Sequence, residues 1–145
     1  MLLYVSTEEY DPISIAIRAK TECAWSHVGF YNPETKRTFS AMCDGKGVAW
    51  RTLKPSEKYM LLDADGIDDA FKFALAQEGK PYDVLDIIGI VSGADLVQRQ
   101  HFICSTLVLW SFQQAGKPLL GMWAIPLDHM TPRDVLLSPF IREER

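Results

Sequence analysis

Two residues far apart in this sequence carry the types best suited to covalent chemistry, a cysteine at 104 and a histidine at 27. Cys104 stands in His101-Phe-Ile-Cys-Ser-Thr-Leu-Val-Leu-Trp110, where Ile103, Leu107, Val108 and Trp110 recur at helical spacing and Ala115-Gly-Lys-Pro118 supplies a stop. The spacing predicts a helix with Cys104 in its first turn. Unpaired backbone N–H groups and the positive dipole end favour a thiolate there and suit a developing oxyanion. The plain alternative is a buried structural cysteine, the commonest fate of the residue type. A nucleophilic thiol needs a base within hydrogen-bond reach, which the fold can bring from a remote position. His27 lies in Trp25-Ser-His-Val-Gly-Phe-Tyr31, an alternating aromatic run that reads as a strand. His101, three residues before Cys104, is the rival base, and His129 in Pro126-Leu-Asp-His129 reads as a solvated surface loop.

The order of three short segments adds to this. Ser26-His-Val-Gly29 followed by a strand, then Gly79-Lys-Pro-Tyr-Asp83, then Ile103-Cys-Ser-Thr-Leu-Val108, resembles the circularly permuted NlpC/P60 group of papain-like cysteine hydrolases, from about Leu2 to Pro139. In that group the histidine comes first in the chain and the nucleophilic cysteine last. The resemblance implies an α+β fold with an antiparallel sheet packed against helices and a cleft between the Cys104 helix and the His27 strand. It implies a polar side chain beside His27 from the following strand, often His, Glu, Asn or Gln, and the matching position is about Ser40 in Thr38-Phe-Ser-Ala41. A serine hydroxyl can accept from an imidazole N–H but cannot stabilise an imidazolium as a carboxylate does. Asp44 is the nearest carboxylate that could substitute, and Ser40 is otherwise an ordinary strand residue. Tyr82 matches a family tyrosine and is a candidate oxyanion donor or cleft wall, or else an aromatic helix cap.

The chemistry implied is acyl transfer with Cys104 as nucleophile and His27 as base, needing no metal or organic cofactor. The substrates implied are peptide or acyl compounds: amides of peptidoglycan stem peptides, other isopeptide-like amides, or lipid acyl esters, the last by hydrolysis or acyl transfer. Two other classes fit the same chain. One is a non-catalytic binding module on this fold; the other is an assembly component of a phage or secretion particle.

Composition sets the frame for these elements. A chain of 145 residues, 48% hydrophobic and 23% charged, is expected to fold as one domain with a real core. A net charge of −4 and a pI near 5.3 give no basic footprint for nucleic acid. The N-terminus lacks the features of a signal peptide, and no run approaches the ~18 apolar residues of a membrane span, so a cytoplasmic site of synthesis is expected, with export or particle association compatible. Three cysteines at 23, 43 and 104 are odd in number and irregular in spacing, which suits a reducing compartment. The Cys23-x3-His27 spacing with Cys43 lacks the paired halves of a structural zinc site.

Strands are expected at 2–6, 28–31, 37–42, 48–53 and 59–63, with Asn32-Pro-Glu-Thr-Lys36 turning a hairpin. Helices are expected at 13–20, 67–78, 82–91 and 131–137, the last opened by Thr131-Pro-Arg-Asp134 in capping-box fashion. Gly45-Lys-Gly47 reads as a turn, and Asp63, Asp65, Asp68 and Asp69 as an acidic helix start rather than a calcium loop. Asp83 and Asp86 read as neighbouring solvated positions. The segment from Ser92 to Gln100 is expected to be a loop or short helix at the entrance, and Pro118-Leu-Leu-Gly-Met-Trp123 to be core or a hydrophobic lip.

Overall fold

The computed structural model describes residues 1–93, 102–121 and 127–144. His101, the stretch 94–100 and the stretch 122–126 lie outside them, so the rival base, most of the entrance segment and the end of the hydrophobic lip do too. The described residues form strands β1 (Leu2–Thr7), β2 (His27–Asn32), β3 (Arg37–Met42), β4 (Gly47–Thr52), β5 (Lys58–Ala64) and β6 (Ile141–Glu143) and helices α1 (Pro12–Thr21), α2 (Ile67–Leu75), α3 (Val84–Ser92), α4 (Cys104–Gln114) and α5 (Pro132–Leu136). All six strands join one antiparallel sheet in the order β4-β3-β2-β1-β5-β6. The architecture is α+β, as expected. The short β6, which pairs with β5, was not legible: Ile141-Arg-Glu143 is too brief to show an alternation.

Local chemistry explains the helix ends. Asp11 caps α1 by accepting the Ser14 N–H at 2.7 Å, Pro12 follows in the first turn, and Glu22 in the left-handed region at φ 51° closes the helix. Asp83 caps α3 through the Asp86 N–H at 2.9 Å, and Gly93 ends it at φ 78°. The predicted cap of α5 is present, with Asp134 accepting from both the N–H and the hydroxyl of Thr131 at 2.7 Å.

The period-2 pattern of the central strands decides what faces the helices. Leu3, Val5, Val28, Phe30, Phe39, Ala41 and Val48 form one core with Leu107, Val108 and Phe112 of α4 and Ile67, Ala70 and Ala74 of α2. Phe30 packs against Phe71 of α2 at 5.5 Å between ring centroids and against Phe112 of α4 at 6.4 Å. A second, smaller cluster of Ile17, Ile87, Ile90 and Ile103, with Tyr82 against it, holds α1 and α3 around the entry to α4. The alternate positions Tyr4, Gly29 and Ser40 fall on the other side of the sheet, and Gly29 lies between Tyr4 and Ser40.

Gly29 is needed there for steric reasons. A Cβ at 29 would stand 2.7 Å from Ser40 Cβ, 2.7 Å from Tyr4 Cε1 and 2.8 Å from the Phe39 carbonyl oxygen. Two of those atoms belong to or adjoin backbone and cannot rotate away. Gly29→Ala is therefore expected to cost roughly 1–3 kcal/mol of stability by overpacking. Urea denaturation of the two proteins checks this, and a variant as stable as the parent refutes it.

Candidate functional site

The ladder between β2 and β3 runs only from Asn32↔Arg37 to Phe30↔Phe39. Beyond Phe30 the two strands lose their pairing, and the Val28 N–H faces the sulfur of Cys104. Cys104 is the first residue of α4, as its spacing predicts. The N-cap is Ile103, which offers no side-chain acceptor, so the N–H groups of Cys104 and Ser105 also remain directed at the sulfur. The Ile103 N–H is taken instead by the Thr106 hydroxyl at 3.0 Å. Ser105 ties this turn down by donating its hydroxyl to the Met130 carbonyl at 2.5 Å.

His27 is the first residue of β2, and its Nε2 lies 3.0 Å from the Ser40 Oγ. The family resemblance implies Ser40 beside His27, and the two side chains are within hydrogen-bond distance. Ser40 is fully buried and also accepts the Tyr4 hydroxyl at 3.3 Å. The Tyr4 ring packs on the imidazole with centroids 5.7 Å apart and planes tilted by 58°. Asp44 does not take the place of Ser40. Both its carboxylate oxygens are held by Arg51, at 2.7 and 2.8 Å, and its pKa is pulled down to about 2, chiefly by that pair. The same guanidinium donates to the carbonyls of Ser40, Ala49 and Gly47.

Tyr82 is brought to the site by a parallel bridge to Phe102, with Asp83 N–H donating to the Phe102 carbonyl and Phe102 N–H to the Pro81 carbonyl at 3.0 and 3.3 Å. The preceding Gly79–Lys80 segment is bonded to Val48 of β4, at 2.8 and 2.9 Å. Burial there raises the Tyr82 phenol well above its ordinary value. With Ser6, Ser14, Ser26, His27 and Glu57, Tyr82 lines a cleft of about 190 Å³. Cys104 itself is 3% exposed and is not among the residues that line this cleft.

Electrostatics correct one expectation. The amides at the start of α4 do favour a thiolate, but burial outweighs them and pushes the thiol up to about 11. Burial likewise lowers the His27 imidazole to about 3, helped by Arg51 and opposed by Asp44. The resting pair is a neutral thiol and a neutral imidazole, and neither nitrogen of His27 hydrogen-bonds the sulfur.

Two further expectations are overturned. Asp83 and Asp86 are each 2% exposed rather than solvated, because Asp83 caps α3 and Asp86 accepts from His129. His129 is not a solvated loop residue: its Nδ1 is 2.6 Å from Asp86 Oδ1, and its own N–H donates to the same oxygen at 3.0 Å. That double contact holds His129 in the left-handed region at φ 62°, a conformation costly for a residue with a Cβ. Nothing in the local sequence pairs positions 86 and 129, whereas the Tyr4–Ser40 contact had a signal, since a polar alternate face was visible in Tyr4 and Ser6.

The sequence matches no protein family profile and no curated protein. The fold is that of a solved structure, the metalloprotein YiiX from Escherichia coli O157:H7 (DUF1105): the TM-score is 0.70 at 19% identity, over 99% of this chain and 95% of that one. The chain therefore has a YiiX-like α+β fold. No helix among the described residues is long and apolar enough to cross a membrane.

The imidazole supplies a pH test. Its folded pKa of about 3 lies below the unfolded value near 6.5, so the unfolded chain binds more protons between those limits. Stability from this residue is fully present above pH 6.5 and is lost as pH falls toward 3, at up to about 1.4 kcal/mol per pH unit. Between pH 6.5 and 4.5, His27→Gln should lose less stability than the parent by about 2 kcal/mol. Equal losses in paired urea titrations would count against a neutral, partly desolvated His27.

Proposed function

We propose that this protein is a cysteine hydrolase of the permuted papain-like, NlpC/P60 type that cleaves an amide bond through a Cys104 acyl-enzyme. The observation that carries the reading is the sulfur of Cys104 at the open end of the β2–β3 ladder, ringed by backbone N–H groups, with His27 and Ser40 joined across the same strands. His27 is the base. When its Nε2–H donates to Ser40, Nδ1 is left free to take the Cys104 proton. The sulfur then attacks the carbonyl carbon, the N–H groups of Val28, Cys104 and Ser105 hold the oxyanion, and the protonated imidazole returns its proton to the leaving amine. Water, activated by the same imidazole, releases the acyl group. Peptide substrates, including cell-wall stem peptides, and acyl esters share this chemistry.

In the closed arrangement the thiol holds its proton tightly and the imidazole has little affinity for one. Proton transfer therefore accompanies opening of the cleft, when Tyr82 moves and water and substrate return both groups toward their ordinary values. Tyr82 is the wall rather than the oxyanion donor in this reading. YiiX is described as a metalloprotein. Among the described residues no three His, Cys, Asp or Glu side chains converge to bind a metal, and no step here uses one.

The closed thiol and the uncharged Ser40 favour a second reading, a binding or assembly module on the same fold. One experiment separates the two. In a Cys23→Ser/Cys43→Ser background, iodoacetamide labelling of Cys104 should slow by about tenfold or more in His27→Ala, and should accelerate in Tyr82→Ala as the wall is removed. Incubation with stem-peptide amides and acyl esters, followed by mass spectrometry, should show products that Cys104→Ala does not form. Labelling indifferent to His27, with no product from any substrate, leaves the binding module.

A further inference from the structure

The serine at the position beside His27 is weak as an orienting group by itself. A serine hydroxyl with one partner turns among three staggered wells, and a neutral oxygen gives an imidazolium little charge stabilisation. The surroundings of Ser40 remove the first of these deficits. Its Oγ lies 3.0 Å from His27 Nε2 and accepts the Tyr4 hydroxyl at 3.3 Å, and its own carbonyl is held by Arg51 at 2.7 Å. Tyr4 is 1% exposed, so its hydroxyl sits out of reach of water. The phenol reaches Ser40 only because Gly29 lies between them without a Cβ, which would stand 2.7 Å from both side chains. The same tyrosine ring packs against the imidazole at 5.7 Å.

We infer that Tyr4 is a positioning residue of this site: it pins the Ser40 hydroxyl against His27 Nε2 and packs against the ring, so that a tyrosine–serine relay stands where a single longer polar side chain would otherwise orient the base. This rests on the reading of His27 as the base. The relay has a direction. Tyr4 occupies one lone pair of Ser40, and the remaining lone pair is the acceptor for Nε2–H, the only interaction open to that oxygen once the imidazole carries a second proton at Nδ1.

Tyr4→Phe removes one oxygen and keeps the ring, and Ser40→Ala breaks the relay from its other end. The test reads His27 directly, by nitrogen-15 spectroscopy of histidine-labelled protein in the Cys23→Ser/Cys43→Ser background, alongside iodoacetamide labelling of Cys104. The parent should show an Nε2–H slow to exchange with solvent. Tyr4→Phe should exchange it about tenfold faster and slow Cys104 labelling by a similar factor, as expected for loss of one buried hydrogen bond. Ser40→Ala should do at least as much, and the double variant no more than Ser40→Ala alone. An unchanged Nε2–H in Tyr4→Phe, or effects that multiply in the double variant, overturns the relay. Labelling that is insensitive to His27→Ala is a different failure: it removes His27 as the base, while the exchange rate still decides whether Tyr4 holds Ser40 on the ring.

Discussion

A strand pair that stops early makes the site. β2 and β3 are joined through Phe30↔Phe39 and then cease to share hydrogen bonds, although both strands continue. Backbone N–H groups released from a ladder need partners, and a buried one without a partner is costly. At Val28 the group that meets the N–H is the Cys104 sulfur, delivered by the first turn of α4. The amides of Val28, Cys104 and Ser105 thus act on the Cys104 sulfur together, each favouring its thiolate.

The rest of the architecture fixes that meeting in three dimensions. The large aromatic core under β2 and β3 holds the body of α4, and the isoleucine cluster between α1 and α3 holds its entry at Ile103. The bridge between Tyr82 and Phe102 draws together the segments that lead into α3 and α4. The Asp86–His129 pair and the Ser105–Met130 hydrogen bond brace the turn from the far side. Arg51, with its donors spent on Asp44 and three carbonyls, makes the β3–β4 end rigid where Ser40 must stay in place.

Burial has opposite consequences for structure and for reactivity here. It makes the thiol and the imidazole good packing groups and keeps both neutral, raising one and lowering the other. A helix N-terminus lowers a thiol pKa when the sulfur is also partly wet; in a dry pocket the cost of an unsolvated charge is larger than the benefit of a few amides. The protonation of Cys104 therefore depends on how dry its surroundings are.

Periodicity and turn chemistry by themselves determined most of the elements. The alternation around His27 and Phe30, the helical spacing after Ile103, the Asp11-Pro12 start and the Thr131 cap are local signals, and each element formed close to its expected bounds. The choice of Cys104 and His27 came from residue type, helix position and family resemblance, and the expectation that Ser40 stands beside His27 came from the same resemblance. What only the tertiary structure decided were quantities that depend on distant neighbours. The protonation of Cys104 is set by how much water reaches it, the burial of Asp86 by a histidine more than forty positions away, and the anchoring of Ser40 by a tyrosine on a strand that precedes it by a whole helix and strand. Desolvation and cross-strand contact are properties of the packed molecule, and no local window of residues encodes them.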